Sequence, residues 1–208
     1  MNPTVPPTPS PARRALAAMA LRLAPLGADA IAALDALAQP RSFAAGAMLL
    51  RAGEHATWSF FVHRGLVREL YVGERGEEHT RTFIGGGDVT GSLLDLLSEG
   101  PAVTFIEALE PTAALALRYR DFDALCARLP ELHHLARRLA EAAYVRKARR
   151  EHEMLAPPAA RRHARWLEEH AALDARLSRR HVASYLGITP EHLSRLRGAA
   201  RRPADAAR

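Results

Sequence analysis

The chain has 208 residues, 48% of them hydrophobic, and a formal net charge of +6, which suits one sizeable domain and a smaller second one. A single cysteine, Cys126, excludes an internal disulfide framework and a cysteine-ligated zinc or iron–sulfur site within one chain. No stretch is long and uncharged enough to span a bilayer, so the cytoplasm is the expected compartment and no membrane partner is expected.

Residues 1–12 begin MNPTVPPTPSP and read as a disordered tail, because so many prolines cannot bury a core. The next run, ARRALAAMALRLAPLGADA, places two arginines ahead of apolar residues as a secretory leader does. Arg22 interrupts it, so amphipathic helices covering one end of a barrel are expected instead. From 42 to 117 short apolar or alternating runs (60–62, 67–72, 80–84, 103–108, 113–117) recur between turn glycines. That rhythm predicts a small barrel or roll, with GERGEE (73–78) as a polar hairpin turn.

After Arg120 the pattern becomes helical. Asp121 is placed to cap a short helix, and Pro130 opens a long one from Glu131 to about Leu155 that Pro157 and Pro158 stop. Its stripe of Leu132, Leu135, Ala136, Leu139 and Ala143 fits packing on the roll or on a second copy of the chain. Self-association is favoured, because a lone DNA-reading motif makes too few contacts. A further helix over 159–173 buries Trp166 and Leu167.

The run RLSRRHVASYLGITPEHLSRLR has the build of a helix-turn-helix. Ser178 caps a helix with Val182, Ala183 and Leu186 inward. Gly187 supplies the left-handed turn residue. Thr189 caps a second helix with Pro190 at its first position. Leu193 and Leu196 face inward, leaving Glu191, His192, Ser194 and Arg195 outward, on a helix suited to the major groove. Charge agrees with this. Residues 161–202 hold ten arginines and four acids, an excess equal to that of the whole chain, as expected if the partner is a polyanion such as double-stranded DNA.

In this order, a roll, a long helix and a C-terminal helix-turn-helix resemble the CRP/FNR family of bacterial transcription regulators. The strings PRSFAAGAMLLRAGE (40–54), FFVHRGLVREL (60–70), GGGDVTGSL (85–93) and ASYLGITPEHLSRLR (183–197) carry the resemblance. It implies an α+β fold: an N-terminal jelly-roll-like β-roll sensor domain, a long dimerisation helix, and a small helical DNA-binding domain. The expected divisions are the tail 1–12, the roll with flanking helices 13–120, the linker and dimerisation helix 121–156, the helix-turn-helix 157–198 and a disordered basic tail 199–208. Because the chain runs on as GAARRPADAAR, a full wing is not expected. The implied function is sequence-specific DNA binding as a homodimer, with RNA polymerase a further candidate partner, and no enzymatic activity. Base contact is assigned to Arg195, with Glu191 accepting from cytosine or orienting it. His192 and Ser194 flank it, Thr189 caps the helix, and Arg179, Arg180 and Arg197 grip phosphate.

The resemblance also marks departures. Cyclic-nucleotide-binding members carry a glutamate where Ser92 stands, and an arginine where Ala102 and Val103 fall. Without that guanidinium a buried phosphate charge would be unpaired, so an effector other than a cyclic nucleotide, or none, is expected, and no cofactor or metal is assigned. Two rival readings remain at this level. A small-molecule-sensing roll that never meets DNA is opposed by the segregated charge. A cupin-like metalloenzyme would need clustered histidines, whereas His55, His63 and His79 are scattered.

Overall fold

The computed structural model describes residues 10–98 and 100–205, with side chains described as far as Ala199. The chain divides into two compact units, one holding the residues up to Glu69 together with Phe83–Ala143, the other Leu70–Thr82 with the chain from Tyr144 onward.

The first unit begins with α1 (Pro11–Leu23) and α2 (Ala28–Leu37). Ser10 caps α1 by accepting from the Arg13 amide at 3.4 Å, with a proline at the first turn. Arg13 ties the two helices together, 2.8 Å from the Asp35 carboxylate and donating to the Ala38 carbonyl at 3.0 Å. The strands are β1 (Gln39–Phe43), β2 (Met48–Leu50), β3 (Trp58–Arg64), β4 (Leu66–Val72), β5 (Glu78–Gly85), β6 (Val89–Thr90), β7 (Phe105–Ala108) and β8 (Thr112–Arg118), with a short α3 (Leu93–Leu97) before β7. They form two four-stranded sheets, ordered β1-β8-β3-β6 and β2-β7-β4-β5. In β3 the consecutive residues Phe60, Phe61 and Val62 are all buried, because this strand is covered on both faces. Phe60 packs edge-on to Phe43 with ring centroids 5.7 Å apart, and Val62 joins Leu50, Val67, Ile84 and Ile106. Phe61 points the other way, into a second cluster with Leu16, Met19, Leu34, Leu115, Leu125, Leu132 and Leu135.

Those last residues belong to α4 (Tyr119–Arg128) and α5 (Glu131–Leu155). The helices expected at one end of the roll are therefore α1, α2, α4 and the start of α5. Cys126 is buried among them, and burial, with Asp123 nearby, pushes its thiol up. It is a small apolar residue of the core.

The second unit contains α6 (Ala159–Asp174), α7 (Arg179–Leu186) and α8 (Pro190–Asp205). Helix α6 is broken at His170, where φ is −135° and ψ 27°.

Several boundaries differ from the sequence reading. Helix α1 starts at Pro11, inside the expected tail, since proline is well suited to a first turn; residues 1–9 of that tail lie outside the described residues. Helix α4 starts at Tyr119, and Asp121 sits within its first turn instead of capping it. Helix α8 runs to Asp205, past the expected end at 198. Gly198 sits within the helix, and the alanines and arginines that follow it are good helix formers; 206–208 lie outside the described residues. The hairpin tip 70–82, counted with the roll in sequence, belongs to the second unit, because its partners are on α5 and α7.

Candidate nucleic-acid interface

Local chemistry builds the helix-turn-helix. The Ser178 hydroxyl accepts from the His181 amide at 3.2 Å, capping α7. Gly187 ends α7 at φ 64° and ψ 39°, its amide bonded back to Ala183 and Ser184. Thr189 then accepts from the His192 amide at 3.2 Å at the start of α8. Val182, Ala183, Leu186 and Leu193 are each at most 1% exposed. Ala183 is small enough to let the helices meet there.

The outward residues fall largely as expected. Glu191, Ser194 and Arg195 are exposed, while His192 is only half-exposed. Arg195 has no ion pair among the described residues. The Glu191 carboxyl is held below its ordinary range by its own backbone amide and the Thr189 hydroxyl, and less by Arg195. Thr189 is a capping residue in this arrangement. Arg179 is exposed at the start of α7.

Two of the arginines assigned to phosphate have other partners. One terminal nitrogen of Arg197 lies 2.7 and 2.9 Å from the two carboxylate oxygens of Asp174. Asp174 also accepts from the Trp166 indole at 2.7 Å. Arg197 thus fastens α8 to the end of α6, a positioning role beside the phosphate contact expected of it. Beneath this clasp His163 is 4% exposed, and its Nε2 has no hydrogen-bond partner among the described residues. Burial, and then the Arg197 charge, hold its pKa below the ordinary value, with Asp174 opposing.

Arg180 is exposed but lies 2.9 Å from the Glu78 carboxylate on the hairpin tip. The same tip meets Ser184, whose hydroxyl accepts from the Thr80 amide at 2.9 Å and donates to the Glu78 carbonyl at 2.6 Å. Arg150, near the end of α5, donates to the Tyr185 carbonyl and stacks 4.0 Å over the Tyr185 ring. Sequence reading missed Asp174, Ser184 and Arg150. Of these only Asp174 left a signal, as a lone acid just ahead of the helix-turn-helix among arginines.

In the first unit, the segment after Gly91 closes on itself. Asp95 is 2% exposed, and its carboxylate accepts from the backbone amides of Val103 at 3.0 Å and Thr104 at 3.3 Å. Ser92 and Thr104 hydroxyls join 3.0 Å apart beside it. Burial pushes the Asp95 carboxyl up, but hydrogen bonds from Thr104, Val103 and Ser92 outweigh this and leave it below its usual range.

Residues 40–129 match the family model of the cyclic nucleotide-binding domain. The HTH-type transcriptional regulator Cmr of Mycobacterium tuberculosis is 35% identical over 109 residues, 52% of this chain and 44% of that protein. The cyclic AMP receptor protein of Thermus thermophilus is 35% identical over 109 residues, 50% of each. The structure of FixK2 from Bradyrhizobium japonicum superposes with a TM-score of 0.68 over 80% of this chain and 86% of that one, at 21% identity. The chain is similar to regulators of the CRP/FNR family, in sequence over about half its length and in fold over most of it. It spans about half the length of the curated relatives it matches. The matched region is the roll with α4, and the helices of the second unit fit a helix-turn-helix domain. No helix among the described residues is long and apolar enough to cross a membrane.

Proposed function

We propose that this chain is a sequence-specific DNA-binding transcription regulator that acts as a homodimer, with an effector other than a cyclic nucleotide or none. The observation that carries the reading is Arg195, exposed and without an ion pair among the described residues, on a helix whose opposite face is anchored by the buried Leu193. A guanidinium so placed can pair bidentately with guanine O6 and N7. Glu191 and Ser194 lie beside it on the exposed face. Arg179 meets phosphate, and Arg180 does so on release from Glu78.

Dimerisation is supported by α5, which exposes Tyr144 (71%), Val145 and Leu155 (80%), apolar surface that a second copy would cover. Two copies would then address two half-sites about one helical turn apart. The reading of the effector rests on Asp95. A carboxylate already accepts the backbone amides of the segment that resembles the family's nucleotide-binding loop, so an incoming cyclic phosphate would meet a negative charge and no arginine.

The test is to incubate the protein with a pool of random duplex DNA at moderate salt and sequence what is retained. Enrichment of an inverted repeat, lost in Arg195→Ala, is expected. Retention with no enriched sequence, unchanged in Arg195→Ala, would reduce the contact to electrostatics and defeat the assignment.

A further inference from the structure

Within the second unit, the end of α5, the start of α6 and the end of α7 enclose a cleft of about 340 Å³, lined by Arg150, Glu153, Arg161, Arg162, Arg165 and Tyr185 among others. Small-molecule sites are concave spaces of roughly 300–1,000 Å³, so the cleft is large enough for a compact organic ligand. Its charges do not balance. Arg165 lies 2.7 Å from Glu169 and 3.6 Å from Glu153, and Arg150 lies 3.8 Å from Glu153. Two carboxylates thus neutralise two guanidinium groups. Arg162 directs its hydrogen bonds to neutral acceptors, the Leu186 carbonyl at 3.0 Å and the Pro157 carbonyl at 2.8 Å, which leaves its charge in place. Arg161 has no side-chain partner among the described residues.

Two uncompensated positive charges on consecutive residues therefore line one concave surface, beside the half-buried cation of Arg150. An anion seated in the cleft would meet both charges, and a doubly charged one would match them in number. A single guanidinium can meet two phosphate oxygens through parallel N–H groups. Ala156, Pro157 and Pro158 supply an apolar wall against which an organic group can rest.

We propose that this cleft binds a phosphate dianion carried on a small organic molecule. Such a ligand would touch α5, α6 and α7 together. It would link a metabolite signal to the helix-turn-helix from a place outside the roll. The inference stands apart from the DNA-binding reading, since it needs only that the second unit folds as described.

The experiment is calorimetric titration of the full chain at low salt with adenosine monophosphate and, separately, with inorganic phosphate. Wild type, Arg161→Ala and Arg195→Ala are compared. Arg161 is exposed and has no side-chain partner among the described residues, so its replacement leaves the fold intact, checked by an unchanged thermal melt. Saturable one-to-one binding of the monophosphate is expected, weakened at least tenfold in Arg161→Ala and unchanged in Arg195→Ala. Weaker binding of inorganic phosphate supports seating of the organic part on the apolar wall; equal or tighter binding would overturn that part and leave a site for free phosphate. Absence of saturable binding by either probe overturns the proposal, as does equal affinity in Arg161→Ala. Loss of duplex DNA affinity in Arg161→Ala, with anion binding unaffected, would assign these arginines to the nucleic acid instead.

Discussion

In the roll, Arg68, Glu69 and Asp95 are at most 5% exposed, and each meets partners of its own unit: Arg68 lies 2.6 Å from Glu107, Glu69 accepts from Thr90 at 2.8 Å, and Asp95 takes the Val103 and Thr104 amides. On α8 Ser194 and Arg195 behave oppositely, both exposed, with Arg195 unpaired among the described residues. A buried charge must be satisfied internally and so fixes shape. An exposed, unpaired one on a rigid helix contributes little to stability and is left for a partner. The buried charges therefore bear on stability and the exposed ones of α8 on the proposed recognition, and substitutions should separate them.

The largest effect is expected from Asp95→Ala. It leaves the buried Thr104 amide and the part-buried Val103 amide without an acceptor, so the roll should lose up to about 4 kcal/mol, since each unsatisfied group costs roughly 1–3 kcal/mol. A urea melt followed in the roll would show it, and an unchanged midpoint would mean that the segment is not held by this carboxylate. Asp174→Ala comes next. Removing the acceptor shared by Arg197 and Trp166 should destabilise the second unit by about 3 kcal/mol and weaken DNA binding evenly across sequences. If Arg197→Ala weakens DNA binding with no loss of stability, Arg197 is a phosphate contact after all.

Arg195→Ala should cost roughly 2 kcal/mol of binding and relax sequence preference, while shifting stability by no more than about 0.5 kcal/mol. Competition between cognate and scrambled duplexes would measure the first, and a thermal melt the second. The smallest effect is a pH dependence of the second unit. His163 has a folded-state pKa below its unfolded value, about 6.5, so the unfolded chain binds the proton more readily. Stability is full above that value and declines as pH falls below it. His163→Leu should flatten the acid side of the profile, and an unaltered slope would locate the titration elsewhere.

The helix-turn-helix was legible because its determinants are local. Ser178, Gly187, Thr189 and Pro190 act within a few residues of themselves, and caps and turns are written in such short spans. The roll was legible from its rhythm of strands and glycines. What escaped was non-local or misleadingly ordinary. Arg197 meets an acid 23 residues away and Arg180 one 102 residues away, distances at which spacing carries no information. Asp95 lies in LLDLL, where it reads as one polar residue in an apolar turn, and only the folded loop brings the Val103 and Thr104 amides to it. The end of α8 departs from the expected tail at 199–208 because the alanines and arginines after Gly198 favour helix.

The cations of α7 and α8 are all arginines, and the chain has a single lysine, Lys147, exposed on α5. Guanidinium groups are not substrates for enzymes that acylate primary amines. The charge of this face is therefore closed to acetylation as a means of control. At the bench the same asymmetry is useful: coupling through the Lys147 amine would tether the protein with its arginine face chemically untouched.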